Sequence, residues 1–166
     1  LYTAIALARR GWDVVVVDRE AGPPARGEWR RRGVMQFQHA HSFRGQVVDA
    51  LNDEMPDVLA AMLSAGASVV MTSGADIRAA ALHCRRTVFE RELWRRAAAE
   101  PRVRMVTGHV SGVVAQRARA AGVRIGAHVL DADLVIDASG RAGRFADALR
   151  TRGEGAECGA AYVGRQ

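Results

Sequence analysis

The sequence predicts an α/β fold, and three observations carry that reading. Leu1, Ala4, Ile5 and Ala8 recur at i, i+3, i+4 and i+7, the period of a helix laying one apolar stripe against a sheet. Residues 14–17 are all valine, a run too short for a helix of its own, which suits a strand buried on both faces of a parallel sheet. The stretch "ADLVIDASG", residues 132–140, is a second apolar run that breaks into small residues and glycine. Together they describe a three-layer, Rossmann-like arrangement of helices on a largely parallel sheet.

Taken in chain order, the first helix stops at Gly11, as a C-cap glycine requires. The valine strand ends on Asp18, at the carboxyl edge where open α/β sheets bind their ligands. The pair reads as the helix and second strand of a dinucleotide-binding βαβ unit whose first strand and Gly-rich turn precede residue 1. "EAGPPARGEWRRRG", residues 20–33, has no period and reads as a surface loop. Ser42 is placed to cap a helix carrying Val47, Val48 and Leu51; Pro56 interrupts or restarts it, and Leu59, Met62 and Leu63 continue the apolar face to Gly66. Residues 67–84 alternate loosely and are strand-like. Thr87 and Glu90 form a capping box ahead of Phe89, Leu93 and Ala97, which share one helix face until Pro101. Three short β-rich runs, 103–108, 109–116 and 122–130, then predict an antiparallel meander.

A chain of 166 residues with 49% apolar content is large enough to bury a core without metals or disulfides. No run approaches the ~18 apolar residues of a membrane span, so stable membrane insertion is not expected and a cytoplasmic location is. The net charge is +6, and all 24 basic residues are Arg. They are scattered and few aromatics interleave with them, which argues against a nucleic-acid surface. Only Arg30, Arg31 and Arg32 cluster, and they read equally as a local anion site or a solvated run. Cys84 and Cys158 have no metal-ligand or disulfide spacing.

Asp18 is the first candidate for chemistry, because an acidic residue just past such a strand accepts hydrogen bonds from ribose hydroxyls. The turn around Ser139 and Gly140 is the second: small residues let backbone N–H groups approach a phosphate or a flavin ring. Ser139 is not placed as a hydrolase nucleophile, since Asp137 stands where the G-x-S-x-G elbow needs its first glycine. "QFQHAH", residues 36–41, is the third, with His39 and His41 at i, i+2 on an extended segment. With no carboxylate or third His near in sequence, a ligand-facing polar turn or a solvated loop fits it better than a metal pair.

The order of "LYTAIALARRGWDVVVVDRE", "GVMQFQHAH", "CRRTVFERELWRRAAAEPRVRMVTGHVSGV" and "ADLVIDASGRAGR" resembles the FAD-binding portion of flavoprotein monooxygenases and related oxidoreductases of the p-hydroxybenzoate hydroxylase superfamily. The likeness covers essentially the whole chain, and it extends in particular to bacterial FAD-dependent oxidoreductases with a "GVPQGRHAH"-like segment. It implies a glutathione-reductase-type FAD-binding fold, with residues 1–166 a partial FAD-binding domain and a substrate domain begun only at about 155–166. The resemblance implies that Asp18, with Arg19 beside it, meets the adenosine ribose. Arg86, opening the R-x-x-L-E-like "RTVFE", lies near the pyrophosphate, and Val110 lies where backbone meets adenine. Ser139 and Gly140 approach the flavin phosphates, and Gln36, His39 and His41 lie on the loop beside the flavin. The chain departs from the family at several points. The G-x-G-x-x-G turn is not in the sequence, Ser139 replaces an Asp, Gly143 stands where Ser is common, and Gln38 replaces a loop Arg.

The activity so implied is NAD(P)H-driven reduction of FAD followed by transfer of one oxygen atom from O₂ to a small organic substrate through a flavin C4a-hydroperoxide. No acid–base residue is assigned, because the cofactor carries that chemistry. An FAD-dependent reductase or halogenase on the same fold stands as the alternative. A nicotinamide-dependent dehydrogenase fits the β-rich 103–130 region less well. A non-catalytic fragment that binds no flavin also remains open.

Overall fold

A computed structural model of the chain describes residues 1–34, 36–74, 77–116, 119–140 and Phe145, the side chains of 72–80 excepted. The expected start of a substrate domain at 155–166, Gly143 and Cys158 lie outside the described residues. The chain is α/β, and it divides into two compact units, Leu1–Val106 and Thr107–Gln166.

The first unit opens with helix α1 (Tyr2–Arg9), which buries Ala4, Ile5 and Ala8 as their spacing predicts. Gly11 takes φ +92°, its N–H donates to Ala8 O at 3.0 Å, and the Trp12 N–H donates to Leu7 O at 3.1 Å. These are the paired hydrogen bonds of a Schellman cap, which needs a left-handed residue and so a glycine. Strand β1 (Val14–Asp18) follows, and among the described residues it pairs with β5 (Val103–Thr107) alone. With α1 against it and one strand beside it, β1 is half-buried along its length, whereas its four valines predict burial on both faces.

Strand β2 (Ala40–Phe43) leads to helix α2 (Gly45–Glu54), then α3 (Pro56–Ser64), β3 (Ser68–Gly74), β4 (Ile77–Arg85) and helix α4 (Arg86–Ala99). The strands form an antiparallel sheet of order β2-β4-β3. Ser42 is not a helix cap: it lies within β2 opposite His83, and α2 starts after Arg44 with no side-chain cap. The ladder to β4, some forty residues downstream, outweighs the local capping preference. Pro56 does restart the helix, at the first position where its missing N–H costs nothing. Gly66, at φ +97°, closes α3 with a second Schellman cap, Ala67 N to Met62 O at 3.0 Å and Gly66 N to Leu63 O at 3.1 Å.

The core lies where α2 and α3 meet β4, α1 and α4. Ile5, Met55, Met62 and Leu82 are 0% exposed, and Leu51 and Val58 are 1% exposed. Leu93 and Ala97 of α4 are buried against them, and Phe89 packs at the margin. Leu63, expected on the same face as Met62, is 41% exposed, because α3 turns only one stripe inward. Arg9 ties three helices from outside. It forms a two-point bond with Asp57 at 3.0 and 2.8 Å and reaches Glu100 at 2.9 Å, while Arg96 also reaches Asp57 at 2.8 Å.

In the second unit, β6 (Val110–Gln116), β7 (Arg119–Ile125) and β8 (His128–Asp131) form the antiparallel meander. Two of the predicted runs are regrouped. The run at 103–108 supplies β5, which pairs with β1, and the run at 122–130 folds back at Gly126, φ +58°, into β7 and β8. Residues 132–140 form no strand. After Ala132 N donates to Ala121 O at 2.9 Å, no ladder takes up the backbone, and Leu134 and Ile136 are 59% and 53% exposed. An apolar run becomes a buried strand only where a neighbouring strand accepts and donates its hydrogen bonds. No helix among the described residues is long and apolar enough to cross a membrane.

Two predictions follow from this packing. Met62→Ala removes a fully buried side chain and costs about 2–5 kcal/mol in urea denaturation, whereas Leu63→Ala changes stability by less than about 1 kcal/mol. The hydrogen bond from Arg9 holds the Asp57 carboxyl below its ordinary value, aided by the charges of Arg9 and Arg96 and opposed by burial. A depressed folded-state pKa contributes stability above the unfolded value and loses it as pH falls through the folded one. The difference in melting temperature between the native chain and Asp57→Asn should therefore hold constant from neutral pH downward and shrink below about pH 4.

Candidate functional site

At the carboxyl end of β1, Asp18 accepts a hydrogen bond on Oδ1 from the Glu20 backbone N–H at 3.0 Å, closing an Asx turn that starts the loop to β2. The loop is folded onto the protein through Trp29, 4% exposed, whose ring meets Phe37 edge-on at 5.0 Å and Trp94 at 6.3 Å. Gln38 Nε2 donates to Trp29 O at 3.0 Å. Proline and glycine spacing predicts a surface loop here, and its path is set by one buried indole.

Trp29 brings Arg31 to the end of β1. The Arg31 guanidinium lies 5.8 Å from the Trp29 ring centre and donates to three carboxylates: Asp18 through Nη2, Glu20 through Nε at 3.2 Å and Glu90 through Nη1 at 2.9 Å. Its side chain is 14% exposed, against 22%, 20% and 13% for the three acids, so these are half-buried, charge-assisted bonds rather than surface pairs. Burial lowers the basicity of Arg31, yet the charges of Asp18 and Glu90 and its hydrogen bonds more than reverse that. Burial likewise opposes ionisation of Glu20, but the Arg31 hydrogen bond and the N–H groups of Arg32 and Gly33 hold its carboxyl below the ordinary value.

Glu90 links this cluster to α4, since it also takes Arg86 Nε at 2.7 Å. The capping box expected from Thr87 and Glu90 does not form. The helix starts at Arg86 with no side-chain cap, because the Glu90 carboxylate is drawn to the two guanidinium groups instead. Arg86 N donates to His39 O at 3.1 Å, and His39 N to Gln36 O at 3.0 Å in a turn where Gln36 takes φ +57°. Asp18, Arg86, His39 and Gln36 are thereby joined through Arg31, Glu90 and two backbone bonds.

His41 lies on β2 opposite Cys84, its Nδ1 buried and without a hydrogen-bond partner among the described residues. It borders a shallow open groove of about 460 Å³ lined also by Ala40, Ser42, His83, Cys84 and Arg85. Burial pushes the Cys84 thiol up, away from the reactive thiolate. Arg19 is exposed and lies over Gly33, where a Cβ would strike its guanidinium. In the second unit, Val110 opens β6 opposite Ile125. Ser139 N donates to Asp137 Oδ1 at 2.9 Å, and Gly140 takes φ +84°, so the glycine turn is present although the strand before it is not. No three His, Cys, Asp or Glu residues among those described form a metal-binding group.

Sequence reasoning did not single out Glu20 or Trp29, and it read Arg31 only as one of three clustered arginines. The cluster is not one anion site: Arg30 pairs with Glu28 at the surface, while Arg31 is enclosed by acids. No periodicity marks the middle arginine of "WRRRG"; the bulky Trp29 two residues earlier, in a loop of small residues, is the one available signal.

Arg31→Ala leaves three half-buried carboxylates without their shared cation and should cost about 1–3 kcal/mol in urea denaturation, while Arg30→Ala, which removes a solvent-exposed pair, should leave the denaturation midpoint where it is. Equal effects would show that the cluster is solvated like any surface pair. Compared with known proteins, the chain matches no family model and no curated sequence.

Proposed function

We propose that the chain is a Rossmann-like nucleotide-binding portion of an FAD-dependent oxidoreductase, with monooxygenation of a small organic substrate as its reaction class and NAD(P)H as electron donor. The observation that carries the reading is the position of Asp18, at the carboxyl end of β1, with α1 packed along that strand after a tight turn so that its N-terminal end runs back toward Asp18. A helix start and a strand end that meet in this way put a positive dipole end and an acceptor carboxylate within one ligand's reach.

The residues present fit the adenosine end of FAD. Asp18 takes one donor on each oxygen, Glu20 N–H on Oδ1 and Arg31 on Oδ2, and a carboxylate offers about four acceptor sites, so it can serve both hydroxyls of a ribose once the guanidinium on Oδ2 gives way. Arg86 supplies positive charge for a diphosphate next to the same cluster, with Arg19 nearer the loop. Gln36, His39 and His41 are the residues proposed to face the flavin, and the unpartnered Nδ1 of His41 is consistent with a polar ligand there. FAD, when bound, supplies the redox and oxygen chemistry, and the protein supplies orientation and a dry surround.

The visible spectrum of the purified chain, after incubation with FAD and desalting, tests this directly. Retained oxidised-flavin bands are the expected result, and Asp18→Asn should weaken FAD binding by about 10- to 100-fold, the worth of hydrogen bonds to a charged acceptor. A protein that stays colourless at saturating FAD would refute the reading for this chain.

A further inference from the structure

We propose that Arg31 is a latch: it closes the loop between β1 and β2 over Asp18, and an adenosine diol must displace it to be bound. The inference rests on the adenosine reading of Asp18 and adds to it a gate carried by the protein's own side chain.

Three observations lead to it. First, the Asp18 carboxylate is already engaged on both oxygens, by the Glu20 N–H on Oδ1 and by the Arg31 guanidinium on Oδ2. A 2′,3′-diol presents two hydroxyl donors and binds a carboxylate best across both oxygens, so its second bond competes with Arg31 for Oδ2. Second, both side chains are largely covered, Arg31 at 14% and Asp18 at 22% exposure, so the pair is not loosened by solvent and a ligand that takes Oδ2 must break it. Third, Arg31 has somewhere to remain when displaced. Glu20 and Glu90 hold its Nε and Nη1 at 3.2 and 2.9 Å, and Trp29 beneath it stays buried. Release from Asp18 therefore breaks one of three ion pairs and leaves the loop anchored. The open arrangement so defined is a minor one, reached by the loss of one pair of three, and a ligand that binds it alone shifts the balance toward it.

The arithmetic is that of a closed state that does not bind. If the open arrangement holds about a tenth of the molecules or less, apparent affinity for a diol ligand is reduced roughly tenfold or more, and abolishing the latch recovers that factor. The probe is ADP, with 2′,3′-dideoxy-ADP as the ligand that makes no demand on Asp18. Titration calorimetry on the full chain compares the native protein, Arg31→Gln and Glu20→Gln. The Glu20→Gln variant keeps an acceptor for the Arg32 and Gly33 N–H groups while loosening Arg31.

The expected result is ADP binding about tenfold tighter to Arg31→Gln than to the native protein, weaker ADP binding by Glu20→Gln, which loses one of the two carboxylates that hold the displaced guanidinium, and no change for either with the dideoxy analogue. A gain of equal size with both ligands overturns the latch, since it would reflect general loosening and not access to Asp18. ADP binding to Arg31→Gln that is equal to or weaker than native also overturns it, while leaving the adenosine reading in place. No ADP binding by any of the three overturns the adenosine reading, and the gate with it. If Arg31→Gln does not fold, Glu20→Gln decides the matter alone: ADP binding weakened with the dideoxy analogue unaffected supports the latch, and unchanged or tighter ADP binding overturns it.

Discussion

Burial of the α2–α3 corner against β4 is the constraint on which the first unit depends. Met55 and Met62 on one side and Leu82 on the other leave no room for a different register, because a one-residue slip of β4 would turn Leu82 to solvent and bring His83 into the core. The register of β4 fixes where α4 begins, and the start of α4 fixes Glu90. Glu90 then holds Arg31, and Arg31 holds Asp18. A polar cluster at the surface is thus positioned by apolar packing on the far side of the sheet, with Phe43 stacked on Phe89 at 4.1 Å as the join between the two.

What was legible in the sequence is what is decided locally. The ends of α1 and α3 are set by glycines that accept a left-handed backbone, and the break between α2 and α3 by a proline without an N–H; both are properties of single residues. What was not legible is decided by partners distant in the chain. Ser42 reads as a cap until β4 pairs with it, Glu90 reads as half of a capping box until Arg31 arrives from fifty-nine residues away, and residues 103–107 read as part of the meander until β1 takes them. Residues 132–140 show the same rule from the other side: a strand-like composition without a strand neighbour remains coil.

The site followed the same division. Asp18 stands at a strand end that a run of valines marks in advance, whereas Arg86 stands at a helix start and is singled out in the sequence only by the family resemblance. Arg31 stands in neither, and a charge run looks the same in sequence whether it is solvated or enclosed. Its role is visible only once Trp29 is seen to be buried, since burying one indole in an otherwise small-residue loop orients the residue two places on.

The all-arginine composition has a physical consequence in this fold. A lysine is a point charge on a flexible stem, whereas a guanidinium is a planar fork with five donors. Arg31 serves three acids, and Arg9 serves Asp57, Glu100 and the Glu54 carbonyl, each through separate N–H groups of one side chain. Much of the positive charge that composition counts as +6 is therefore engaged within the chain, by acids on other elements, rather than displayed as a stripe. The same geometry makes the Arg31 cluster divisible. A fork held at three points retains two when one is lost, whereas an ammonium that leaves its partner leaves altogether, and only the first kind of contact can release Asp18 without releasing the loop.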